Sequence, residues 1–132
     1  MTRDPVAILD RGYALIWRQD DAEGAFRGVA PDFVWIVPGH PDGEIRHGAE
    51  GAIEFFREWV EPWEEFHVDW ELHRAGPDCV LAVVTMRGRG RGSGAPVDAR
   101  LGQLWTFRNG RAARMVMYWD LQTAFAAAGL RR

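Results

Sequence analysis

The stretch Leu101–Asp120, LGQLWTFRNGRAARMVMYWD, constrains this chain more tightly than any other. Two apolar-rich runs flank Asn109-Gly110, a pair that favours a tight β-hairpin because both residues tolerate positive φ. Two registers fit it. A two-residue type I′ turn pairs Arg108 with Arg111 and sets Trp105 opposite Arg114 and Leu101 opposite Tyr118. A three-residue loop with Gly110 in the left-handed region, and a bulge after it, gathers Leu101, Gln103, Trp105, Met115, Met117 and Trp119 on one face. Arg100, Arg114 and Tyr118 then take the other. A one-residue slip exchanges the faces. The second register separates polar from apolar better, and it is the expected one.

The elements before the hairpin read as a cover for it. Asp4 caps a helix starting at Pro5, and Val6, Leu9, Tyr13, Ile16 and Trp17 form its apolar face. Asp20-Asp21 caps a short helix carrying Ala22, Ala25, Phe26 and Val29, and Pro31 interrupts it. Residues 33–37, FVWIV, read as a strand with both faces covered, and 38–43 as a loop. A third helix spans about Gly48 to Val60 with Ile53, Phe56 and Val60 inward, broadened by Phe55 and Trp59 and ended by Pro62. The period then changes to two. Phe66, Val68, Trp70 and Leu72 alternate with charged residues and histidines, and Cys79–Arg89 follows with Ala82, Val84 and Met86 inward. That register sets Arg87 and Arg89 beside the acidic outer row of the preceding strand. A short helix, Leu121–Ala128, closes the chain at Gly129. Three helices and a strand followed by four consecutive antiparallel strands give an α+β fold: one domain over residues 1–132, a curved antiparallel sheet with helices on its concave face.

Composition excludes several chemistries. All sixteen basic residues are arginine, so there is no lysine for a Schiff base or a Walker-type phosphate loop. Cys79 is the only cysteine and Ser93, in a glycine-rich turn, the only serine. These exclude an internal disulfide and a Cys-x-x-Cys site and argue against a serine hydrolase. A net charge of −3 gives no reason to expect nucleic acid or an acidic membrane as partner. No apolar run reaches membrane-spanning length and the N-terminus lacks a basic-then-apolar leader, so the expected location is cytoplasmic. Arg87–Gly92 is read as a strand end and turn rather than an RNA-binding tract. His67 and His73 share a strand face with Glu65, Asp69 and Glu71, which is expected to be charge-paired rather than a metal site.

The inner wall is then Ala82, Val84, Met86, Leu101, Trp105, Met115, Met117 and Trp119, with Gln103 its one polar member. Trp17, Trp35, Phe56 and Trp59 face it from the covering elements. A concave apolar wall with few polar groups suits a small-molecule site, and equally suits a filled core.

The stretches RGYALIW, PDFVWIVPG, IRHGAEGAIEFF, RGRGRGSGAPVD, LWTFRNGRAARM and YWDLQTAFAAAGL, in this order, resemble the SnoaL-like branch of the nuclear transport factor 2-like superfamily. The resemblance implies a cone-shaped α+β barrel, dimeric through its sheet, with a pocket between helices and concave sheet. It implies a small, largely apolar ligand and cofactor-independent acid–base chemistry of the isomerase, cyclase or hydratase kind. The chain departs from relatives of known mechanism. Ketosteroid isomerase-like enzymes carry an aspartate just before a proline of the first strand, where this chain has Val37 before Pro38, and Tyr13 falls one position from their helix tyrosine. Val84, Met86 and Met117 stand where limonene epoxide hydrolase-like enzymes need an arginine and two aspartates. The remaining catalytic candidates are Asp120 at the pocket rim, which also suits the cap of the last helix, His40 in the loop after the first strand, and Tyr13. The rival expectation is a non-catalytic dimerisation or adaptor domain with a vestigial pocket.

Overall fold

The structure, a computed structural model, describes residues 4–37 and 44–131. The elements are α1 (Pro5–Gln19), α2 (Ala22–Phe26), β1 (Val34–Val37), β2 (Glu44–His47), α3 (Gly48–Val60), β3 (Trp63–Gly76), β4 (Cys79–Gly90), β5 (Pro96–Arg108), β6 (Arg111–Tyr118) and α4 (Leu121–Ala128). The six strands form one curved, unclosed sheet in the order β2-β1-β6-β5-β4-β3. The four long strands are antiparallel, and β1 joins them by pairing parallel to β6.

The hairpin combines both registers that the sequence allows. Asn109 and Gly110 both have positive φ, +54° and +77°, and Arg108 pairs with Arg111, as a type I′ turn requires. The pairing then shifts by one residue between Thr106 and Phe107, so Trp105 opposes Met115 and Gln103 opposes Met117. The face expected from polar–apolar separation is therefore reached, but the bulge lies inside β6 rather than in the loop. The register ends at Gly102 opposite Tyr118. Trp119 lies past the strand, 53% exposed, so its assignment to the wall is corrected: the bend into α4 turns it out.

Helices α1, α2 and α3 cover the concave face, where Ala82, Val84, Met86, Leu101, Trp105, Met115 and Met117 are all 6% exposed or less. Helix α4 departs from the expected placement. It packs on the convex face, against Leu81 and Gly102, whose side-chain positions alternate with those of Ala82 and Gln103. Leu81, Val83, Leu121 and Ala124 are buried there, so β4 is covered on both sides. Strand β2 is a further departure: its four residues pair with β1 over Val34–Val37. Arg46 then ties β2 to α3, bonding Glu44 and, at 2.8 Å, Glu58 while lying over the Phe55 ring.

Polar contacts fix α1 along the edge strand. Trp70 donates to Asp10 at 2.9 Å, Arg18 reaches Asp69 at 3.4 Å, and Arg74 holds Asp4 at 2.8 Å. The Arg74 guanidinium lowers the Asp4 carboxyl below its ordinary value. The predicted cross-strand pairing of the outer arginines takes a different form: Arg89 meets Glu65 at 3.4 Å, whereas Arg87 turns to Asp98 of β5 at 4.0 Å. Such exposed pairs each contribute little to stability. Cys79 is half-buried, and burial raises its thiol pKa, which suits a small packed side chain rather than a reactive thiolate.

Candidate functional site

Between α1 and the concave sheet lies a cluster of aromatic rings. Phe33 is fully buried and stacks on Trp105 at 6.0 Å between ring centroids, and Trp35 meets Trp105 edge-on at 6.2 Å. Tyr13 stacks on Trp70 at 5.7 Å and meets Trp105 edge-on at 6.3 Å. Helical spacing places Leu9, Tyr13 and Ile16 on the sheet-facing side of α1, and strand alternation places Gln103 and Trp105 on the helix-facing side of β5.

One hydrogen-bonded chain crosses this cluster. The Trp105 indole donates to the Tyr13 hydroxyl at 2.9 Å, and Tyr13 in turn donates to Gln103 Oε1. The direction is forced, because an indole N–H can only donate and so leaves the phenol hydrogen for the amide oxygen. Gln103 keeps its NH2 group as the polarity it can offer elsewhere. Burial drives the Tyr13 hydroxyl well above its ordinary pKa, outweighing the opposite effect of the indole. Tyr13 is therefore a neutral donor, not a base, across the ordinary pH range.

Two cavities lie beside the chain. The outer one, about 70 Å³, runs from Ile8, Leu9 and Gly12 of α1 to Ala25, Gly28, Val29 and Ala112. The inner one, about 30 Å³, reaches Trp17, Trp35, Phe56, Trp59, Gln103 and Met117. Tyr13, Ile16, Phe26 and Trp105 line both and form the partition between them. A surface groove between α1 and α2 shares Ile8, Gly12, Ala25 and Gly28 with the outer cavity. Ligand pockets usually enclose about 300–1,000 Å³, so anything beyond a few heavy atoms must displace the partition.

Among the described residues no carboxylate, imidazole or guanidinium lines either cavity. A charged molecule would lose its hydration without gaining a partner. The arrangement suits a neutral, mainly apolar occupant.

Seven side chains expected in the pocket line the inner cavity: Trp17, Trp35, Phe56, Trp59, Gln103, Trp105 and Met117. Val84, Met86, Leu101 and Met115 share the concave face but line neither cavity. Tyr13 stands at the centre. Asp120 is not brought to this group: its carboxylate caps α4, accepting from the Thr123 amide at 3.0 Å and the Thr123 hydroxyl at 2.7 Å. His40 lies outside the described residues. Sequence reading missed the outer cavity. Its available signal was Gly12, a glycine inside an apolar helix face, where an added Cβ would meet nothing within 4 Å. Such a glycine costs helix stability with no packing need to explain it.

Two expected outcomes follow from the roles of Asp120 and Tyr13. Asp120→Ala should lose about 1 kcal/mol in urea denaturation, with ligand affinity unchanged. The Tyr13 pKa is raised in the folded state, so its contribution is fully present below the unfolded value, about 10, and lost as pH rises above it. In a Tyr118→Phe background, phenolate absorbance should therefore appear only as the protein unfolds, and stability should fall by up to about 1.4 kcal/mol per pH unit above pH 10.

A family model for the SnoaL-like domain matches residues 9–115. No curated protein matches the chain. Among solved structures, an NTF2-like protein from Burkholderia thailandensis superposes with a TM-score of 0.77 at 24% identity, covering 98% of this chain and 100% of its own. TerC, co-crystallised with polyporic acid, gives 0.73 at 21% identity over 97% and 99%. A Mycobacterium tuberculosis protein in complex with estradiol-17β-hemisuccinate gives 0.71 at 20% identity over 92% and 97%.

Proposed function

The chain belongs to the SnoaL-like domain family, and from that premise we propose that it binds a small, neutral, largely apolar molecule between α1, α2, α3 and the concave sheet. The observation that carries this reading is the pair of apolar cavities that share Tyr13, Ile16, Phe26 and Trp105 as lining. Three structural neighbours were solved with small organic ligands, which supports binding of a small molecule; neutrality of the ligand rests on the uncharged lining alone. Access is through the α1–α2 groove. No helix among the described residues is long and apolar enough to cross a membrane.

The reading is of a binder. Acid–base turnover of the ligand needs a proton acceptor at the cavity, and among the described lining residues none is present. A catalytic version would draw on His40, and His40→Asn is its test.

Thermal denaturation with three ring compounds of similar size tests binding. Cyclohexanone should raise the midpoint, since a ligand of the native state stabilises by mass action, whereas cyclohexanecarboxylate and cyclohexylammonium should not. Equal shifts from all three, or none from cyclohexanone, would remove the proposal. Gly12→Leu should hold or gain stability, by up to about 1 kcal/mol from helix propensity, while slowing association in stopped-flow fluorescence by closing the groove.

The second reading, a non-catalytic homodimeric adaptor, is favoured by the small size of the cavities and by the exposed Trp119 beside Tyr118 at the end of β6. It expects a dimer in sedimentation that Trp119→Asp dissociates, and no response to any ring compound.

A further inference from the structure

Trp35 is 5% exposed and lines the inner cavity, yet its Nε1–H has no acceptor among the described residues. Its ring is held from three sides by Phe26, Phe55 and Trp105 at 5.7–6.2 Å. A buried indole N–H usually finds a partner, and leaving one unmade is costly. The neighbouring polar groups are turned to one another instead: Tyr13 donates to Gln103 Oε1 and accepts from the Trp105 N–H, and neither oxygen pairs with Trp35. The polar hydrogens of the inner wall without a protein acceptor are the Trp35 N–H and those of the Gln103 NH2.

We infer that the Trp35 indole N–H is the polar anchor of the cavity and that the ligand carries an uncharged acceptor oxygen or nitrogen, as in a ketone, ester, ether or nitrile, on a compact apolar body. This deepens the binding proposal and rests on it. The acceptor takes the N–H deep in the site, and the apolar body extends past the Tyr13–Trp105 partition toward α1 and α2. Binding then satisfies a group that the ligand-free fold leaves unpaired, so an acceptor gains where a hydrocarbon of the same shape does not.

Cyclohexanone and methylenecyclohexane, which differ in C=O against C=CH2, provide the test. In 1H–15N spectra with the seven tryptophan indoles assigned through the backbone, cyclohexanone should move the Trp35 indole proton downfield and methylenecyclohexane should not. Trp35→Phe keeps an aromatic ring and removes the donor. It should weaken cyclohexanone about three- to tenfold relative to methylenecyclohexane, whose affinity reports the change in cavity shape alone. Should that variant fail to fold, the wild-type indole shift decides alone. Equal affinity for the two probes with the Trp35 proton unmoved overturns this inference while leaving the cavity as a binding site. Binding of neither probe overturns the binding proposal and this one with it.

Discussion

Trp105→Ala is expected to lose about 3–5 kcal/mol of folding stability. The ring is 6% exposed and touches Phe33, Trp35 and Tyr13. Removing it takes away three ring contacts, strips the Tyr13 hydroxyl of its donor and joins the two cavities into one. Against a typical total of about 5–15 kcal/mol, this is a large share, and the melting midpoint should fall by roughly 10–20 °C. The same variant should bind larger apolar rings more tightly than the wild type, because the partition is gone, and saturating cyclohexanone should restore part of the loss. A loss below about 1 kcal/mol by urea denaturation would mean that the aromatic cluster is not packed as described.

The second large effect concerns α4. A Cβ on Gly102 would lie 2.4 Å from the Ala124 Cβ, a separation that real side chains do not reach, and 3.4 Å from Leu81 Cδ1. Because the Ala124 methyl sits directly on the helix backbone, the whole helix must move. Gly102→Ala should therefore cost about 1–3 kcal/mol as overpacking, although alanine in place of a strand glycine is otherwise favourable. Amide exchange should show α4 losing protection while α1 and β4 keep theirs. The double variant Gly102→Ala/Ala124→Gly should recover much of the docking, less the cost of a helix glycine, about 1 kcal/mol. Additive losses in that cycle would contradict the contact.

The legibility of these features in the sequence followed their locality. Period and capping identified α1, the Asp21 cap of α2, and α3 ending before Pro62, because each depends on residues within a few positions of one another. The hairpin was nearly legible. Polar–apolar separation chose the right face, but not the place where β6 absorbs its extra residue, since Ala112 and Ala113 carry no preference strong enough to mark a bulge. Strand β2 was missed because Glu44–His47 is a strand only through its pairing with β1. The side taken by α4 was equally hidden. It depends on Gly102 and Ala124, two small residues whose meeting is a tertiary fact.

At the site, Tyr13 and Gln103 could be named as polar members of an apolar face, but their bond spans 90 residues of sequence. The ambiguity of Asp120 is resolved geometrically in favour of the cap. Trp35 was legible as an aromatic on a buried strand, whereas its unpaired N–H depends on where every neighbouring acceptor points.

A crystal structure of the protein saturated with cyclohexanone tests most directly whether the cavities hold a ligand. Ring density is expected inside the fold, touching Tyr13 and Trp105, with the partition shifted so that the cavities of about 70 and 30 Å³ become one. Cavities left empty at saturation, or density found only on the convex face around α4, would contradict it.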